Sequence, residues 1–326
     1  MGEIVGEGKT GISWCTEVLN SLYGCGECSK GCKECYARLR IYRFSKSHTH
    51  NRDGRYNDLV DTYTETEVTN GVEQEVVKRR FTDRILFNPA KLYACFKFSP
   101  KSLVFVNEFS DLLHQAIPME VILEHFRVFR CAPWLQFQVL TKRANRLAEL
   151  DAAIMREFGE WPANVWMGVS VCTPQKGELN KIVRLGRTHA VIKWISFEPW
   201  VSDPKVALKN ASPNLTAVLR DNGIAWSVIG GESGAKKAAR LMTLDDAQYL
   251  FTSSQNAGCK VHFKQLGTKL AEARGVYGTG DHRSKGGNLE QIPLNLRKRE
   301  WPEASWEAQY KPNFESRFDP RKLIKF

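Results

Sequence analysis

Long apolar runs and a signal peptide are both missing from this sequence. No apolar stretch approaches the roughly 20 residues that a membrane-spanning helix needs. The opening segment, MGEIVGEGKTG, lacks the apolar core that directs a chain to secretion. These absences argue against the common classes of membrane and secreted protein, so we expect a cytoplasmic protein with no membrane partner.

Acidic residues are in deficit and internal repeats are absent. The chain has 36 Asp and Glu against 47 Lys and Arg, which leaves a formal net charge of +11. A basic surplus of this size favours an anionic partner, and we expect a nucleic acid or a nucleotide. With 42% hydrophobic residues in 326 positions, the chain can bury one large core or two smaller ones without disulfide staples.

Short apolar runs alternate with helical patterns along most of the chain. The eight candidate strands are residues 11–15, 84–87, 103–108, 135–140, 165–171, 191–197, 226–231 and 260–265. Helical patterns fall at residues 89–96, 118–131, 143–159 and 243–258. Apolar strands separated by helices predict an α/β fold with a parallel sheet: a (β/α)8 barrel or a partly open TIM-like barrel. A doubly wound open sheet is the alternative.

Two polar segments interrupt this alternation. The polar composition of residues 45–80 predicts an inserted loop or hairpin over one end of the barrel. The second segment starts at residue 276, from which the chain is basic and polar. We therefore expect residues 1–275 to form the barrel and residues 276–326 to form an extension that packs on it or contacts a partner. The basic residues expected to flank the barrel mouth and bind phosphates are Lys78, Arg79, Arg80, Arg283, Lys285, Arg297, Lys298 and Arg299.

Polar residues follow the predicted strands at the end where a parallel barrel places its active site. The candidates are Asn107, Glu108, Ser110, Asp111, Lys142, Arg143, Ser170, Cys172, Glu198, Gly230, Gly231, Glu232, Ser233, Lys264 and Gln265. Polar residues also appear wherever strands surface, which is the alternative for any one of them. For the whole set, the pattern favours a site.

Cysteine is concentrated in one place. Four of the nine cysteines, Cys25, Cys28, Cys32 and Cys35, lie within eleven positions after the first predicted strand. In a reducing compartment, such a group indicates a metal site before it indicates disulfides. Structural zinc sites usually separate their Cys pairs by about a dozen or more residues. A compact thiolate run favours an iron–sulfur cluster instead, with zinc or a redox dithiol as alternatives.

The cysteine spacing resembles two families. Cys28-x3-Cys32-x2-Cys35 is the spacing of the radical S-adenosylmethionine (radical SAM) superfamily, which also carries it after the first strand of a barrel. The resemblance implies a [4Fe-4S] cluster whose open iron binds S-adenosylmethionine, and an external electron donor for its cleavage to a 5′-deoxyadenosyl radical.

The second family is the phage-associated three-cysteine-motif proteins of uncharacterised function, which are themselves similar to radical SAM enzymes. The matching segments, in order, are GISW, GCKECYA, FVNEFSDLLH, FQVLTKR, NVWMGVSV, FEPW, IGGESG and FKQLG. That family's first cysteine falls on Cys25, so the resemblance favours Cys25, Cys32 and Cys35 as ligands, with Cys28 as the alternate. Binding by all four thiols would leave no open iron and would indicate an electron carrier.

The resemblance also implies roles at the strand ends. Lys142 or Arg143 would pair with the carboxylate of S-adenosylmethionine, and Ser170 would bond its ribose. Asn107 or Glu108 would accept hydrogen bonds from its ammonium or ribose. The expected function is a radical SAM enzyme that modifies, rearranges or repairs a nucleobase in DNA or RNA, or a nucleotide. The alternative is a non-catalytic iron–sulfur or zinc protein that binds nucleic acid.

Three further groups have two interpretations each. The GGES turn at residues 230–233 is similar to the Gly-Gly-Glu run that holds the methionyl ammonium in many radical SAM enzymes, or its glutamate holds substrate. Glu198 and Lys264 form an acid/base pair or a salt bridge at the barrel mouth. Cys172 donates a hydrogen atom to a substrate radical, or it is a buried packing residue.

Overall fold

The expected alternation of strands and helices recurs in the structure, a computed structural model that describes residues 10–69, 72–278, 285–306, 317–319 and 321–326. Its strands, numbered in chain order, are β1 (Glu17–Leu19), β2 (Leu22–Tyr23), β3 (Val60–Thr69), β4 (Val72–Phe81), β5 (Leu86–Phe87), β6 (Leu103–Val106), β7 (Gln136–Thr141), β8 (Val165–Ser170), β9 (Ile192–Trp200), β10 (Ile224–Gly231), β11 (Lys260–Gln265) and β12 (Ile324–Lys325).

The helices lie mainly between the strands of the second half of the chain. The α-helices are α1 (Tyr36–Ser45), α2 (Pro89–Tyr93), α3 (Met119–Arg130), α4 (Leu147–Phe158), α5 (Lys176–Gly186), α6 (Leu208–Ala211), α7 (Leu215–Asp221), α8 (Leu244–Asn256) and α9 (Thr268–Ala273). Short 3-10 helices cover Lys30–Cys32, Ala94–Lys97, Ala144–Arg146, Leu289–Gln291 and Leu294–Leu296. Among the described helices, none is long and apolar enough to cross a membrane.

The main sheet has seven parallel strands, in the order β1-β6-β7-β8-β9-β10-β11. Helices α3, α4, α5, α7 and α8 form the crossovers from β6 onward, so the carboxyl ends of all these strands meet at one edge. The sheet curls into a half-barrel, compatible with the partly open TIM-like arrangement. A doubly wound sheet reverses its strand order at a switch point, and no such reversal occurs here.

Two of the eight predicted strands were placed wrongly. Residues 11–15 form a turn that puts Trp14 and Cys15 inside the barrel, and the first barrel strand is β1, just after them. Residues 84–87 contribute only β5, which pairs antiparallel with β2 and β12 in a small separate sheet. Both runs are apolar because they are buried, and apolar character alone does not specify a position in the main sheet.

The predicted insert contains a hairpin. β3 and β4 pair antiparallel from Val60 opposite Phe81 to Thr69 opposite Val72. Near its base the hairpin packs against α1, since Phe81, Leu59 and Ile41 share one buried cluster. The rest of β3 and β4 is largely exposed, including Val68 and Val72. The predicted hairpin is therefore confirmed at β3 and β4.

Besides the cluster at the base of the hairpin, the described residues form two buried clusters on the two faces of the main sheet. One large cluster lies between the sheet and its helices, and the described part of the C-terminal extension adds Ile292 and Leu296 to it. The other fills the barrel interior with tryptophan rings from neighbouring strands, at positions Trp166, Trp194 and Trp226. The extension therefore packs against the barrel over these residues.

Candidate functional site

The clustered cysteines lie on the loop that follows β2 and leads into α1. Cys25 and Cys28 precede the 3-10 turn that contains Cys32, and Cys35 is the residue before the first turn of α1. We call residues 24–36 the thiol loop. Cys32 is buried, Cys25 and Cys35 are half-buried, and Cys28 is exposed.

Arg143, which follows β7, is directed at the thiol loop. Its Nη1 donates to the sulfur of Cys28 at 3.4 Å and to that of Cys25 at 3.7 Å, and its Nη2 donates to the carbonyl of Gly26 at 3.0 Å. Asp111 holds the guanidinium from behind at 3.5 Å. Arg143 therefore joins the end of β7 to two thiols and to the backbone between them.

The neighbouring Lys142 lies among other sulfur atoms. Its Nζ approaches Ser170 Oγ at 3.5 Å. Burial of the ammonium opposes its charge, but the thiols of Cys172, Cys32 and Cys35 outweigh that effect and raise the pKa of Lys142. The end of β7 thus presents two adjacent cations to the cysteine cluster.

Cys172, the residue predicted to donate a hydrogen atom, lies directly against the thiol loop. A Cβ atom added to Gly31 would fall 2.4 Å from Cys172 Sγ and 3.0 Å from Cys172 Cβ. Burial raises the pKa of Cys172 to about 11. The glycine at position 31 is therefore what lets the loop descend onto the end of β8, and it brings a fifth thiol to the site.

The four thiols of the loop do not share one electrostatic environment. Burial raises the pKa of Cys25 to about 12, and Asp111, Cys35 and Cys32 act on it as well. Burial also raises the pKa of Cys35. A hydrogen bond from Cys28 lowers the pKa of Cys32 to about 4. The same hydrogen bond, with burial, raises that of Cys28. Cys32 is thus the thiol that most readily ionises.

The donor set bears on the predicted metal. Across the ranges that the structure describes, no group of three or more His, Cys, Asp or Glu side chains converges as a single bound ion requires. A zinc site needs about four ligands around one point, with sulfur near 2.3 Å. In an iron–sulfur cluster each thiolate binds a different iron, so the sulfur atoms surround a larger body than one ion. Whether the thiol loop holds such a cluster stays a prediction.

Asn107 and Asp111 are occupied in supporting the site. Asn107 is buried with a positive φ of 60°, and its Oδ1 accepts from the backbone N–H of Ser21 at 3.0 Å and of Leu22 at 3.1 Å. Asp111 Oδ1 accepts from Thr141 Oγ1 at 2.7 Å. Both side chains fasten the loops that carry the thiols and cations.

Glu198 and Lys264 meet across the barrel mouth. Lys264 Nζ lies 2.7 Å from Glu198 Oε1, so the salt bridge among the sequence alternatives is present. Gln265 Nε2 donates to the same oxygen at 3.4 Å. A Cβ added to Gly230 would only reach ordinary contact with this carboxylate, 3.4 Å from its Cδ, so the pair does not depend on a glycine there. The pair therefore occupies the edge formed by β9, β10 and β11.

The GGES turn holds the barrel edge together. A Cβ on Gly231 would fall 2.2 Å from the backbone oxygen of Leu266, so only glycine allows this approach. Glu232 is buried and ion-paired with Arg240. Arg240 also donates through Nη1 to the carbonyl of Lys30 in the thiol loop at 2.8 Å. The turn therefore braces the thiol loop through an arginine.

Sequence reasoning missed Arg240 and Tyr36. Arg240 lies in an irregular segment with no pattern to single it out, so its role depends on tertiary contacts. Tyr36 follows Cys35, and half of its side chain is exposed. Its hydroxyl is nevertheless buried, and this burial together with the carboxylates of Glu108 and Glu198 raises its pKa. Its position directly after a cysteine was the signal available in the sequence.

The basic residues of the insert make internal contacts. Lys78 forms ion pairs of 2.6 Å with both Glu65 and Glu67 on the facing strand. The cations stacked on aromatic rings are Arg79 over Tyr42, at 4.3 Å, and Arg80 over Tyr63, at 5.5 Å. These three cations are therefore already partnered within the hairpin and α1.

Basic residues of the extension are also engaged, where the structure describes them. Arg297 and Arg299 donate to backbone carbonyls, and Lys298 ion-pairs with Glu300 at 3.3 Å. Lys285 lies at the barrel mouth, whereas Arg283 falls outside the described residues. Most of the cations expected to contact phosphates are thus used within the fold.

Comparison with known proteins gives one family. A profile described as a protein of unknown function (DUF5131) matches residues 9–308. Neither the curated proteins nor the solved structures gave a significant match. The profile covers the thiol loop, the whole half-barrel and much of the extension, so the chain belongs to the DUF5131 family.

Proposed function

We propose that this protein is a radical SAM enzyme that acts on a nucleotide or on a nucleobase in DNA or RNA. The observation that carries the proposal is the arrangement at the carboxyl edge of the half-barrel, where the thiol loop meets Lys142 and Arg143. Such an edge is where parallel barrels place their active sites. Thiolate ligands concentrate negative charge, and two cations offset that charge at low dielectric.

Cys25, Cys32 and Cys35 would hold a [4Fe-4S] cluster. The pKa of Cys25 responds to both of the other thiols, while the exposed Cys28 interacts chiefly with Cys32 and Arg143. This favours Cys28 as a neighbouring thiol. When bound, the cluster would supply the electron that cleaves S-adenosylmethionine, with an external donor restoring it.

The chain's own residues divide the remaining tasks. Arg143 fixes the backbone at Gly26 and compensates the charge of the adjacent thiolates. Lys142 compensates the charge of Cys32 and Cys35. Glu232 is engaged by Arg240, which keeps the thiol loop seated. Glu108, Glu198 and Lys264 line the rest of the mouth, where they orient substrate and exclude water.

The first test is anaerobic reconstitution with iron and sulfide, followed by iron and sulfide analysis and visible absorption. Cys32→Ser and Cys35→Ser should each abolish the visible absorption, because each thiol belongs to both possible ligand sets. The matched control is Cys131→Ser, a half-buried cysteine at the end of α3, which should retain the cluster. Retention of iron and sulfide in the Cys32 or Cys35 variant would refute the cluster.

The second test separates enzyme from non-catalytic metal protein. Adding S-adenosylmethionine to the reduced, reconstituted protein should change its electron paramagnetic resonance spectrum and release methionine. Cys25→Ser should lose both responses, and Cys28→Ser should keep most of them. The reverse result would assign Cys28 as the third ligand. A cluster that never responds would leave the non-catalytic alternative.

A further inference from the structure

The barrel mouth has a second group of charged side chains, on the side formed by β9, β10 and β11. Glu198 is the carboxylate of this group, and its contact with Lys264 at 2.7 Å fixes the lysine at the end of β11. Glu198 and Lys264 keep only 16% and 21% of their side chains exposed. This charged pair is therefore set into the mouth and held in one place.

A second lysine joins this pair from the C-terminal extension. The backbone N–H of Leu266 donates to the carbonyl of Gly286 at 3.0 Å, which seats the chain around Lys285 against the end of β11. Lys285 is half-buried and lies within electrostatic reach of both Lys264 and Glu198. Among the residues that the structure describes, Lys285 has no ion-pair partner. One carboxylate thus faces two ammonium groups.

The opposite side of the mouth has a different character. Glu108, at the end of β6, lies against the Tyr36 hydroxyl and accepts from Asn20 Nδ2 at 3.5 Å. Glu108 and Lys264 both act electrostatically on the buried thiol of Cys15, so both charges lie near the barrel interior. A molecule bound at the mouth would meet cations on one side and a carboxylate with a phenol on the other.

Two lysines with one shared carboxylate leave a net positive charge at this side of the mouth, and half-buried ammonium groups are stabilised by an anion. A phosphate has the oxygens and the charge to bond both amines. Glu108 on the other side suits a hydrogen-bond donor, such as a ribose hydroxyl or a base amine. The pairing of the two sides matches a small molecule that carries a phosphate at one end.

We propose that Lys264 and Lys285 form the phosphate subsite of the substrate pocket and that the substrate is a free nucleoside phosphate. This inference rests on the proposed function, whose substrate class it narrows. A nucleic-acid backbone could supply the same phosphate chemistry. Apart from Lys285, the described cations that would follow such a backbone have partners within the hairpin, α1 and the extension, which favours the small molecule.

The test is isothermal titration of the full, reduced, cluster-free protein with inorganic phosphate, with nucleoside 5′-monophosphates and with a short single-stranded oligonucleotide. Phosphate and monophosphate should bind the unaltered protein. Lys285→Gln should weaken both by about tenfold or more, as expected for the loss of one charge-assisted hydrogen bond. The matched control is Lys91→Gln, an exposed lysine on α2, which should leave both affinities unchanged.

Three outcomes would overturn the inference: no binding of phosphate or monophosphate at millimolar concentration, equal affinities in the Lys285 and control variants, or tighter binding of the oligonucleotide than of the monophosphates. The measurement uses protein without iron or S-adenosylmethionine. Failure of the phosphate subsite is therefore distinguishable from failure of the cluster, which reconstitution reports separately.

Discussion

Gly31 should be hard to replace, because it is the residue at which the thiol loop meets Cys172. A Cβ atom there would lie 2.4 Å from Cys172 Sγ, about 1 Å short of the 3.4 Å at which ordinary contact begins. Cys172 is fully buried, so its sulfur has little room to move away from the added methyl group. Overpacking of this kind costs about 1–3 kcal/mol, and we expect Gly31→Ala to lower the free energy of unfolding by that amount.

The assay is urea unfolding of the reduced, cluster-free protein, followed by tryptophan fluorescence. Gly177→Ala on α5 is the matched control, since nothing lies within 4 Å of its added Cβ. A helical Gly→Ala change in open space should be neutral or stabilise by about 0.5–1 kcal/mol. The two alanines therefore separate the local clash from the general effect of losing a glycine.

A double variant tests the mechanism. Cys172→Ala removes the sulfur and leaves the Cβ contact at 3.0 Å. Adding Gly31→Ala to it should then cost clearly less than adding it to the unaltered chain, giving a favourable coupling energy of about 1 kcal/mol. Strictly additive effects, or a Gly31 variant as stable as the parent, would show that the loop does not descend onto β8 as described.

Two further predictions concern buried charge. Burial lowers the pKa of His125 from 6.5 to about 4. Between these two pH values the unfolded chain binds a proton that the folded chain does not. The free energy of unfolding therefore falls as the pH is lowered, by up to about 3 kcal/mol. In urea unfolding at a series of pH values, His125→Phe should reduce this slope, and an unchanged slope would contradict the assignment. Arg240→Ala leaves the buried Glu232 unpaired, so it should destabilise by about 3 kcal/mol. Arg240→Lys should cost less in the same assay, and equal losses would indicate that charge is not the cause.

The sequence alone determined the repeating architecture. The alternation of apolar runs with helical patterns located six of the seven strands of the main sheet and the crossover helices α3, α4 and α8, but not α5, α6 or α7. The helix predicted at residues 243–258 begins as α8, where the Thr243 side chain accepts from the N–H of Asp246 at 3.2 Å. These features follow from local periodicity and capping chemistry, which depend on residues near one another in the chain.

The same local reasoning put the thiol loop and the polar strand ends at one edge of the sheet. For the polar strand ends, that step needed only the rule that parallel strands end on a common edge. The thiol loop was placed there through a strand at residues 11–15 that does not form, and it follows β2 of the small antiparallel sheet instead. Neither placement needed any knowledge of which side chains touch. The candidate site could therefore be located from the sequence before its contacts were known.

Only the tertiary structure decided the partners within that edge. Gly31 meets Cys172, Glu232 meets Arg240, and the basic residues of the hairpin contact carboxylates and aromatic rings. Residues 11–15 were predicted as a strand but form a turn inside the barrel, and this difference too depends on packing against distant segments. Apolar patterning reports that a residue is buried, whereas its neighbours depend on how distant segments pack, and no local period in the sequence encodes that packing.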